Sequence, residues 1–447
     1  MLKTIVYSEI FILCLSLIFL SGAYLFLNSL KKKFNISPEL SRKAIHIGLG
    51  LFTLTFPWLF KETLTVWTMG IISVVALLGL RFNKLKNTLG DSLHGVERHS
   101  YGEIFFPISV AVLFQLSHQT PVFYVVSILV LTLADSLAAI IGVYYGKAHY
   151  NAAEGIKSVE GSLFFFITAF LCIQIPLLLM SDYNNANIIL VAFFIAAIIT
   201  LCEAVAWQGL DNLFIPLGVY VALTNYLDFP VYMLIAFILI FIAIMGLSLY
   251  LRNKSSMNLS ALLFSIVLGF IYTTLDPLSF IIPLSMFVLY LYISRKEQKY
   301  LKDAHTVLTI LYLNLGGLFW IFLRNNGYPD LTIEFSVYYC MQIGIISWIH
   351  QYLFSKKNNL FIPFINALIL FSIIFVIYTH RIELFTLQNY LVYSGFLIFS
   401  LLTGLAIFKL WSKKYDLLPV NRERLCVQGG SAFIGSLIFY ICRSLYA

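Results

Sequence analysis

Residues 121–162 read PVFYVVSILVLTLADSLAAIIGVYYGKAHYNAAEGIKSVEGS, and this stretch decides the fold class. Its first part, residues 121–146, is an apolar run longer than the roughly 20 residues that a helix needs to cross a bilayer. Lipid offers no hydrogen-bonding partner to the backbone, so such a run must be helical. The run nevertheless contains an acid, Asp135, and a polar loop with Lys157 follows it. The stretch therefore predicts a membrane helix with a functional acid.

Similar apolar runs recur along the whole chain. Of its 447 residues, 60% are hydrophobic and only 11% are charged, a far more apolar composition than that of an ordinary soluble protein. We predict an all-α, polytopic integral membrane protein with about 14–16 transmembrane helices. The predicted helices lie near residues 5–29, 44–60, 63–80, 104–117, 121–146, 161–180, 186–206, 212–227, 229–251, 259–274, 278–294, 305–323, 333–354, 360–379, 387–411 and 426–445.

The positive charges follow the predicted topology. With the N-terminus outside, all but five of the 29 lysines and arginines fall in loops on one face, which the positive-inside rule identifies as cytoplasmic. The formal net charge of +8 is explained in this way, and no basic domain indicates a nucleic-acid partner. We expect the plasma membrane of a bacterium or an ER-type membrane, with the active site facing the cytoplasm.

Polar residues are concentrated in the first part of the chain. Up to about residue 255, the cytoplasmic loops contain acids, His, Asn and Ser besides cations, whereas later loops are short or mainly basic. We therefore divide the chain into residues 1–255, which carry the polar motifs, and residues 256–447, an additional multi-helix domain of unknown role. The six cysteines form no CxxC pair, so neither a disulfide framework nor a zinc site is expected.

Asp135 shares a helical stripe with the small residues Ala139, Gly142 and Gly146, which allows this face to approach another helix closely. A carboxylate at this depth costs at least about 2.5–3.5 kcal/mol on insertion scales, so it needs a stabilising partner. Magnesium is one candidate because it prefers oxygen ligands. Two alternatives stay open: a pair with a hydroxyl or cation of a neighbouring helix, and a proton-relay acid in a transporter.

The loop EGIKSVEGS that follows this helix has residues that suit an anion. Lys157 offers a point charge and Ser158 a hydroxyl, while Glu160 and Gly161 stand at the expected start of the next helix, whose free N–H groups attract anions. The GxxxxGK[ST] spacing of a Walker A loop is absent. The alternative interpretation is a solvated turn.

Three further polar clusters lie at predicted helix ends on the same face: LSRKAIHIG, GVERHSYGEIFFP and CEAVAWQGLDNLFIP. Each alone is compatible with a charged loop or a helix cap. Together they bring carboxylates and cations to one membrane face, which suits a metal-bound nucleotide. Their candidate residues are Arg42, Lys43, His46, Arg98, Glu103, Glu203, Asp211 and Asn212.

The ordered motifs RKAIH, GE, ADSLAAIIGVYYGK, KSVEGS and GLDNLFIP resemble the family of membrane lipid-alcohol kinases. That family includes dolichol kinase, phytol kinase and the CTP-dependent diacylglycerol kinases, and its members are also described as related to phosphatidate cytidylyltransferase. The resemblance covers roughly residues 40–225. Many members have Gly-Asp where this chain has Ala134 and Asp135, and Gly146 with Lys147 represents their G-[RK] element.

The resemblance implies transfer of the γ-phosphoryl group of a nucleoside triphosphate, with CTP favoured, to the hydroxyl of a membrane lipid alcohol such as polyprenol, dolichol, phytol or diacylglycerol. Mg²⁺ is the expected cofactor, with Asp135 and Asp211 as its ligands, and these two acids with Glu203 are the expected catalytic carboxylates. The expected nucleotide- and phosphate-binding residues are Lys157, Ser158, Glu160, Gly161, Asn212, Arg42, Lys43, His46, Arg98 and Glu103. The choice of base, the particular alcohol, CTP against ATP and the oligomeric state stay open.

Two other functions compete with this interpretation. A CTP-dependent phosphatidate cytidylyltransferase uses the same nucleotide and a membrane lipid, but it attacks the α-phosphorus. A lipid transporter or flippase would suit the many helices and the intramembrane acid. Against a transporter, the acidic motifs gather on one face, and no paired, Gly-interrupted halves are present.

Overall fold

The chain is almost wholly helical in the computed structural model, as its apolar composition predicts. The model describes residues 2–34, 38–80, 101–152, 155–275, 279–295, 305–328, 331–356, 359–378, 386–412, 417 and 420–446. Within these ranges, nine helices are long and apolar enough to cross a bilayer, and four shorter apolar helices accompany them. The protein is thus an all-α, polytopic integral membrane protein.

The chain forms two compact units, Met1–Ile240 and Phe241–Ala447. The boundary falls within the helix Val231–Leu251. The functional division that we draw near residue 255 stays a prediction.

The elements of the first unit run in order from α1 to α11. They are α1 (Leu2–Phe34), α2 (Pro38–Thr53), α3 (Phe56–Leu59), α4 (Thr63–Leu80), α5 (Gly102–Leu116), α6 (Pro121–Leu129), a π-helical turn (Val130–Ala134), α7 (Asp135–Tyr145), β1 (His149–Ala152), β2 (Gly155–Ser158), α8 (Val159–Met180), α9 (Asn185–Val205), α10 (Asp211–Tyr226) and α11 (Val231–Leu251).

The predicted helix at residues 44–60 is divided in the structure into α2 and α3. Pro57 lies at the start of α3, where its missing N–H is tolerated. The same residue cannot continue a preceding helix, because its ring clashes with the backbone one turn earlier. The break after Thr53 therefore has a local cause that apolar periodicity does not reveal.

Two helices of this unit, α5 and α10, are short, as predicted. They contain 15 and 16 residues and each has an internal proline. At 1.5 Å per residue they measure about 22–24 Å, less than the roughly 30 Å of a bilayer core. The two helices pack against each other, and α10 also packs against α6 and α9.

The polar loop after α7 folds into a small hairpin, which the all-helical prediction misses. Strands β1 and β2 pair antiparallel, with Tyr150 opposite Lys157. Gly155 opens β2 at a φ of 81°, a left-handed conformation that favours glycine. Each strand is only four residues long, too short for alternation to stand out in the sequence.

The helix with Asp135 lies at the centre of the first unit. Helix α6, the π turn and α7 form one continuous helix, Pro121–Tyr145. Of its most apolar stretch, 61% is buried inside the protein, the largest share among the nine long helices described. The π turn packs against α2, α8 and α10. This helix is therefore the element on which the neighbouring helices assemble.

The elements of the second unit follow α11. They are a 3₁₀ turn (Arg252–Lys254), α12 (Leu259–Leu275), α13 (Ile281–Ile293), α14 (Val307–Asn325), α15 (Thr332–His350), a second π turn (Gln351–Ser355), α16 (Phe361–Tyr378), α17 (Leu387–Ser412) and α18 (Arg422–Tyr446).

Helix α15 forms the centre of the second unit, and nearly all of its side chains are buried. Polar side chains on it are paired: Tyr339 donates to Asn314 Oδ1 at 2.7 Å, and Gln342 donates to the Tyr338 hydroxyl at 2.8 Å. All six cysteines of the protein are free in the structure.

Candidate functional site

The site begins at the π turn in the central helix. A π turn leaves the regular hydrogen-bonding ladder, and such turns frequently occur at functional sites. Here the Leu131 carbonyl lies 3.2 Å from His46 Nε2 of α2. Gly50 of the same helix contacts the Thr132 side chain so closely that a Cβ would stand 2.1 Å from Thr132 Oγ1. Helix α2 is thus held against the turn that directly precedes Asp135.

Lys43 forms a buried ion pair with Asp135. Its Nζ lies 2.6 Å from Asp135 Oδ2, and the two side chains are only 8% and 11% exposed. His46 Nε2 lies 3.9 Å from the same oxygen, and the charge of Arg42 acts on this carboxylate as well. All three predicted residues of the RKAIH motif therefore surround Asp135.

The hairpin brings Lys157 to a second carboxylate. Lys157 Nζ lies 2.6 Å from Glu203 Oε1, near the end of α9, and also donates to the Glu203 carbonyl oxygen. Burial alone lowers the pKa of Lys157, but the carboxylates of Glu203 and Asp211 outweigh it and raise the pKa above its usual value. Lys157 is therefore a fixed cation at the site.

Ser158 and Glu160 build the loop that carries Lys157. Ser158 caps α8: its Oγ accepts a hydrogen bond from the Gly161 N–H at 3.1 Å. The Glu160 carboxylate accepts the Ala148 N–H at 3.2 Å and so fastens the hairpin to α8. Both side chains are engaged in local contacts, and their expected role in phosphate binding stays a prediction.

The small-residue stripe of α7 packs against this capped turn. A Cβ on Gly142 would lie 3.0 Å from Ser158 Oγ, and one on Gly146 would lie 2.7 Å from Ser158 Cβ. A Cβ on Gly161 would lie 3.0 Å from the Ala138 carbonyl oxygen. The close helix approach that the stripe predicts is confirmed, and it sets the distance between the hairpin and Asp135.

Asp211 is the third carboxylate of the group and opens α10. It accepts the Asn212 backbone N–H at 2.9 Å on Oδ1. Within the described part of the chain it forms no ion pair. The pKa of Asp211 is raised to about 6: burial is the largest cause, the negative charge of Asp135 also raises it, and Lys43 and Lys157 oppose the rise.

The charges of the two ion pairs and of Asp211 act on one another, so we treat them as one group. We call it the carboxylate cluster: Lys43, Asp135, Lys157, Glu203 and Asp211. Residues from α2, α7, β2, α9 and α10 contribute to it. A group of alternating charges in a poorly solvated place binds and neutralises a phosphorylated ligand more effectively than the same charges in water.

Two predicted residues remain, Glu103 among the described residues and Arg98 outside them. Glu103 lies in the first turn of α5, and the Tyr101 N–H just before it donates to the Gln208 carbonyl oxygen at 2.9 Å. This bond ties the start of α5 to the segment that leads to Asp211. Arg98 lies outside the described residues.

The described residues contain no group of three His, Cys, Asp or Glu side chains close enough to hold a metal ion by themselves. Such a group is not required for Mg²⁺ in nucleotide sites. Mg²⁺ is usually held there by one or two carboxylates, with substrate phosphates and water as the other ligands. The expected role of Asp135 and Asp211 as Mg²⁺ ligands stays a prediction.

Sequence reasoning misses one residue of the site, Tyr150. It lies opposite Lys157 in the hairpin, and its hydroxyl is 2.7 Å from Ser162 Oγ at the start of α8. Burial raises the pKa of Tyr150, and the nearby charge of Glu203 raises it further. Only the strand register identifies this neighbour, because nothing in HYNA marks the tyrosine as functional.

One curated protein gives a significant sequence match. The phytol kinase of Synechocystis sp. (strain ATCC 27184 / PCC 6803 / Kazusa) is 32% identical over 200 residues, which are 44% of this chain and 84% of that protein. No protein-family model and no solved structure matches the chain.

Proposed function

The chain belongs to the family of membrane lipid-alcohol kinases, and from this membership we propose that it transfers the γ-phosphoryl group of CTP to an isoprenoid alcohol of the phytol type. Phosphorylation of a lipid alcohol follows from the family, whereas the nucleotide, the alcohol and the cofactor are our proposal. The carboxylate cluster is the observation that supports the proposed site.

In the proposed reaction, the oxygen of the lipid alcohol forms a bond to the γ-phosphorus while the bond to the β–γ bridging oxygen breaks. CDP leaves, and the hydroxyl proton passes to a carboxylate of the cluster. Such a transfer needs mainly positioning and neutralisation of charge. Lys43 and Lys157 supply fixed positive charges for the phosphates, and the nucleotide enters from the cytoplasm.

We propose Mg²⁺ as the cofactor, with Asp135 and Asp211 as its protein ligands. Bound Mg²⁺ would neutralise the charge that builds up on the nucleotide phosphates during transfer. Asp211 suits this role because its carboxylate forms no ion pair with a described cation. Lys43 orients Asp135 from 2.6 Å.

An apolar cavity in the first unit supports a lipid substrate. It has a volume of about 400 Å³ and is walled by α1, α2, α4 and α5. Leu25 and Ile72 belong to its wall and are 48% and 42% exposed, so the cavity is open at the surface of membrane-length helices. A hydrocarbon chain can therefore enter sideways from the bilayer.

The wall of the same cavity contacts a neighbour of the carboxylate cluster, His46. Phe106 belongs to its wall, and the Phe106 ring lies 5.2 Å from the His46 ring. His46 in turn lies 3.9 Å from Asp135 Oδ2. A chain that fills this cavity would hold its hydroxyl end near Asp135, and we propose this arrangement for the alcohol.

The decisive experiment uses the purified full chain with γ-labelled CTP or ATP and a panel of phytol, farnesol, polyprenol and diacylglycerol. We expect γ-label on phytol with CTP and Mg²⁺, and loss of the reaction on chelation of the metal. Transfer of label from α-labelled CTP to lipid would instead indicate a cytidylyltransferase. Absence of labelled lipid with every alcohol would overturn the proposal.

Chain-length preference tests the tail cavity. Ser73→Phe fills the cavity from α4, whereas Val75→Phe on the same helix points to a side that is 63% exposed and outside the cavity wall. We expect Ser73→Phe to raise the KM for phytol about tenfold while a ten-carbon isoprenoid alcohol reacts as before. Equal effects of the two variants would remove the cavity from the proposal.

A further inference from the structure

The second unit contains a separate cavity of about 170 Å³, lined by α11 to α15, the second π turn and α18. Most of its wall is aliphatic or aromatic, with Leu268, Met286 and Leu313 as examples. All the lining residues lie in the second unit. Its apolar wall alone would suit any hydrophobic ligand.

One cation distinguishes this cavity from a simple apolar void. Arg424, in the first turn of α18, belongs to the wall and is only 8% exposed. Its Nη1 donates to the Leu417 carbonyl oxygen at 2.5 Å, but its Nε is buried with no hydrogen-bond partner. Among the residues that the structure describes, no carboxylate forms an ion pair with it.

A buried guanidinium without a counter-charge is unfavourable, because desolvation is not repaid by an opposite charge. The other buried arginine of this unit illustrates the usual solution: Arg443 Nε lies 2.7 Å from Glu334 Oε1. Arg424 therefore has the free donor and the uncompensated charge that an anionic ligand would satisfy.

Neutral polar groups lie beside Arg424 on the same wall. His305 Nδ1 is 2.9 Å from Ser256 Oγ, and that hydroxyl is also hydrogen-bonded to the Tyr290 hydroxyl. Burial, together with the charge of Arg424, lowers the pKa of His305 to about 4. His305 is therefore neutral at cytoplasmic pH and can exchange hydrogen bonds with a ligand without adding charge.

We propose that this cavity binds an amphiphile with an anionic phosphate head group and a hydrocarbon tail. Arg424 pairs with the phosphate, and the apolar wall holds the first carbons of the tail. Two sources share this chemistry: a lipid monophosphate, as a lipid-alcohol kinase forms, and a phospholipid of the bilayer. A free nucleotide fits less well, because it has no hydrocarbon tail to fill a wall that is mostly aliphatic or aromatic.

The test measures binding to the purified full chain in detergent, without nucleotide. The probes are farnesyl phosphate, farnesol and phosphatidic acid, and the readout is the number and affinity of bound molecules by native mass spectrometry. We expect farnesyl phosphate or phosphatidic acid to bind at least tenfold more tightly than farnesol. Preference for farnesyl phosphate identifies the lipid monophosphate as the ligand, and preference for phosphatidic acid identifies a bilayer phospholipid.

Variants locate the binding in this cavity. Arg424→Gln should weaken binding of the preferred probe at least tenfold, and Arg424→Lys should retain most of it. Arg422→Gln is the matched control, because Arg422 lies on the same turn but is exposed. Kinase activity should be unchanged in Arg424→Gln, so a failure of the proposed function would not affect this result.

A second variant covers the case in which Arg424→Gln does not fold. Ser248→Phe narrows the cavity from α11 without touching Arg424, and Leu249→Phe is its control outside the wall. Only the first should weaken binding at least tenfold. Equal binding of farnesol and farnesyl phosphate, or unchanged binding in folded Arg424→Gln and Ser248→Phe, would overturn the proposal.

Discussion

The two units both bury charged side chains, but they arrange them differently. In the second unit, Glu334 and Arg443 form a single enclosed pair, and their side chains are 0% and 10% exposed. In the first unit, the Lys157–Glu203 pair is 20% and 12% exposed. There Asp211 also contributes a carboxylate that forms no ion pair with a described residue.

This difference separates a structural charge from a functional one. The Glu334–Arg443 pair joins α15 to α18. The carboxylate cluster gathers residues from five elements, retains an acid without a paired cation and lies near an apolar cavity. Both groups are buried. Only the carboxylate cluster has an acid without a paired cation and an apolar cavity nearby, and these two features indicate a functional site.

Breaking the enclosed pair should have the largest effect on stability. Glu334→Gln removes the carboxylate charge that faces the buried Arg443, and we expect the free energy of unfolding to fall by about 3–5 kcal/mol. Chemical unfolding in detergent measures the loss. Glu423→Gln, an exposed acid on α18, is the control and should unfold as the wild type does. Normal stability with lost kinase activity in Glu334→Gln would contradict the structural role.

Removing the charge of Asp135 should act on catalysis instead. We expect Asp135→Asn to lower kcat about 100- to 1,000-fold, because one preorganised charge near a transferring phosphoryl group is worth that much. The assay is label transfer to phytol, with Tm as the check on folding. Asp182→Asn, an exposed aspartate just past the opposite end of α8, should keep full activity. If Asp135→Asn were fully active, the site assignment would fail.

Displacing the hairpin should have an intermediate effect. In Gly146→Ala, the new Cβ would stand 2.3 Å from the Gly142 carbonyl oxygen and 2.7 Å from Ser158 Cβ, so the hairpin must move. We expect a loss of about 1–3 kcal/mol in stability and a higher KM for the nucleotide. Gly218→Ala, which has open space around its Cβ, should not reduce stability. If Gly146→Ala and Gly218→Ala had the same stability and the same KM for the nucleotide, the close packing at Gly146 would be unimportant.

The pH dependence should show the smallest effect, and it tests Asp211 directly. Asp211 must be ionised to neutralise or ligate a cation, and its pKa is about 6, so kcat/KM should be half-maximal near pH 6 and fall about tenfold per unit below it. Glu203→Gln removes a negative charge that raises this pKa. In that variant, the fall of kcat/KM at acid pH should therefore move to lower pH. An unchanged pH profile would exclude Asp211 as the titrating group.

Several features of the site could be predicted from the sequence, because they depend on local chemistry. The glycines of α7 predict a close helix contact, which Ser158 and Gly161 make, whereas the membrane face of the polar motifs stays a prediction. The partners themselves could not be predicted. Lys43 and Asp135 are separated by 92 positions, and Lys157 and Glu203 by 46, so only helix packing brings them together.

Two local features of the site, the π turn and the position of Tyr150, could not be predicted from the sequence either. The π turn before Asp135 has no composition of its own, since VLTLA is as apolar as the helix on either side. The structure shows α2 packed against it, with His46 in contact with its Leu131 carbonyl. Tyr150 is likewise recognised only from its pairing opposite Lys157.

The sequence by itself determined that this protein is a bundle of membrane helices with acids and cations at one end of its first half, since hydropathy and loop charge depend on composition alone. Only the tertiary structure decided which acids form an ion pair with a cation and which do not. Pairing of charges depends on distances of a few ångströms between helices, and those distances arise from packing that no single segment encodes.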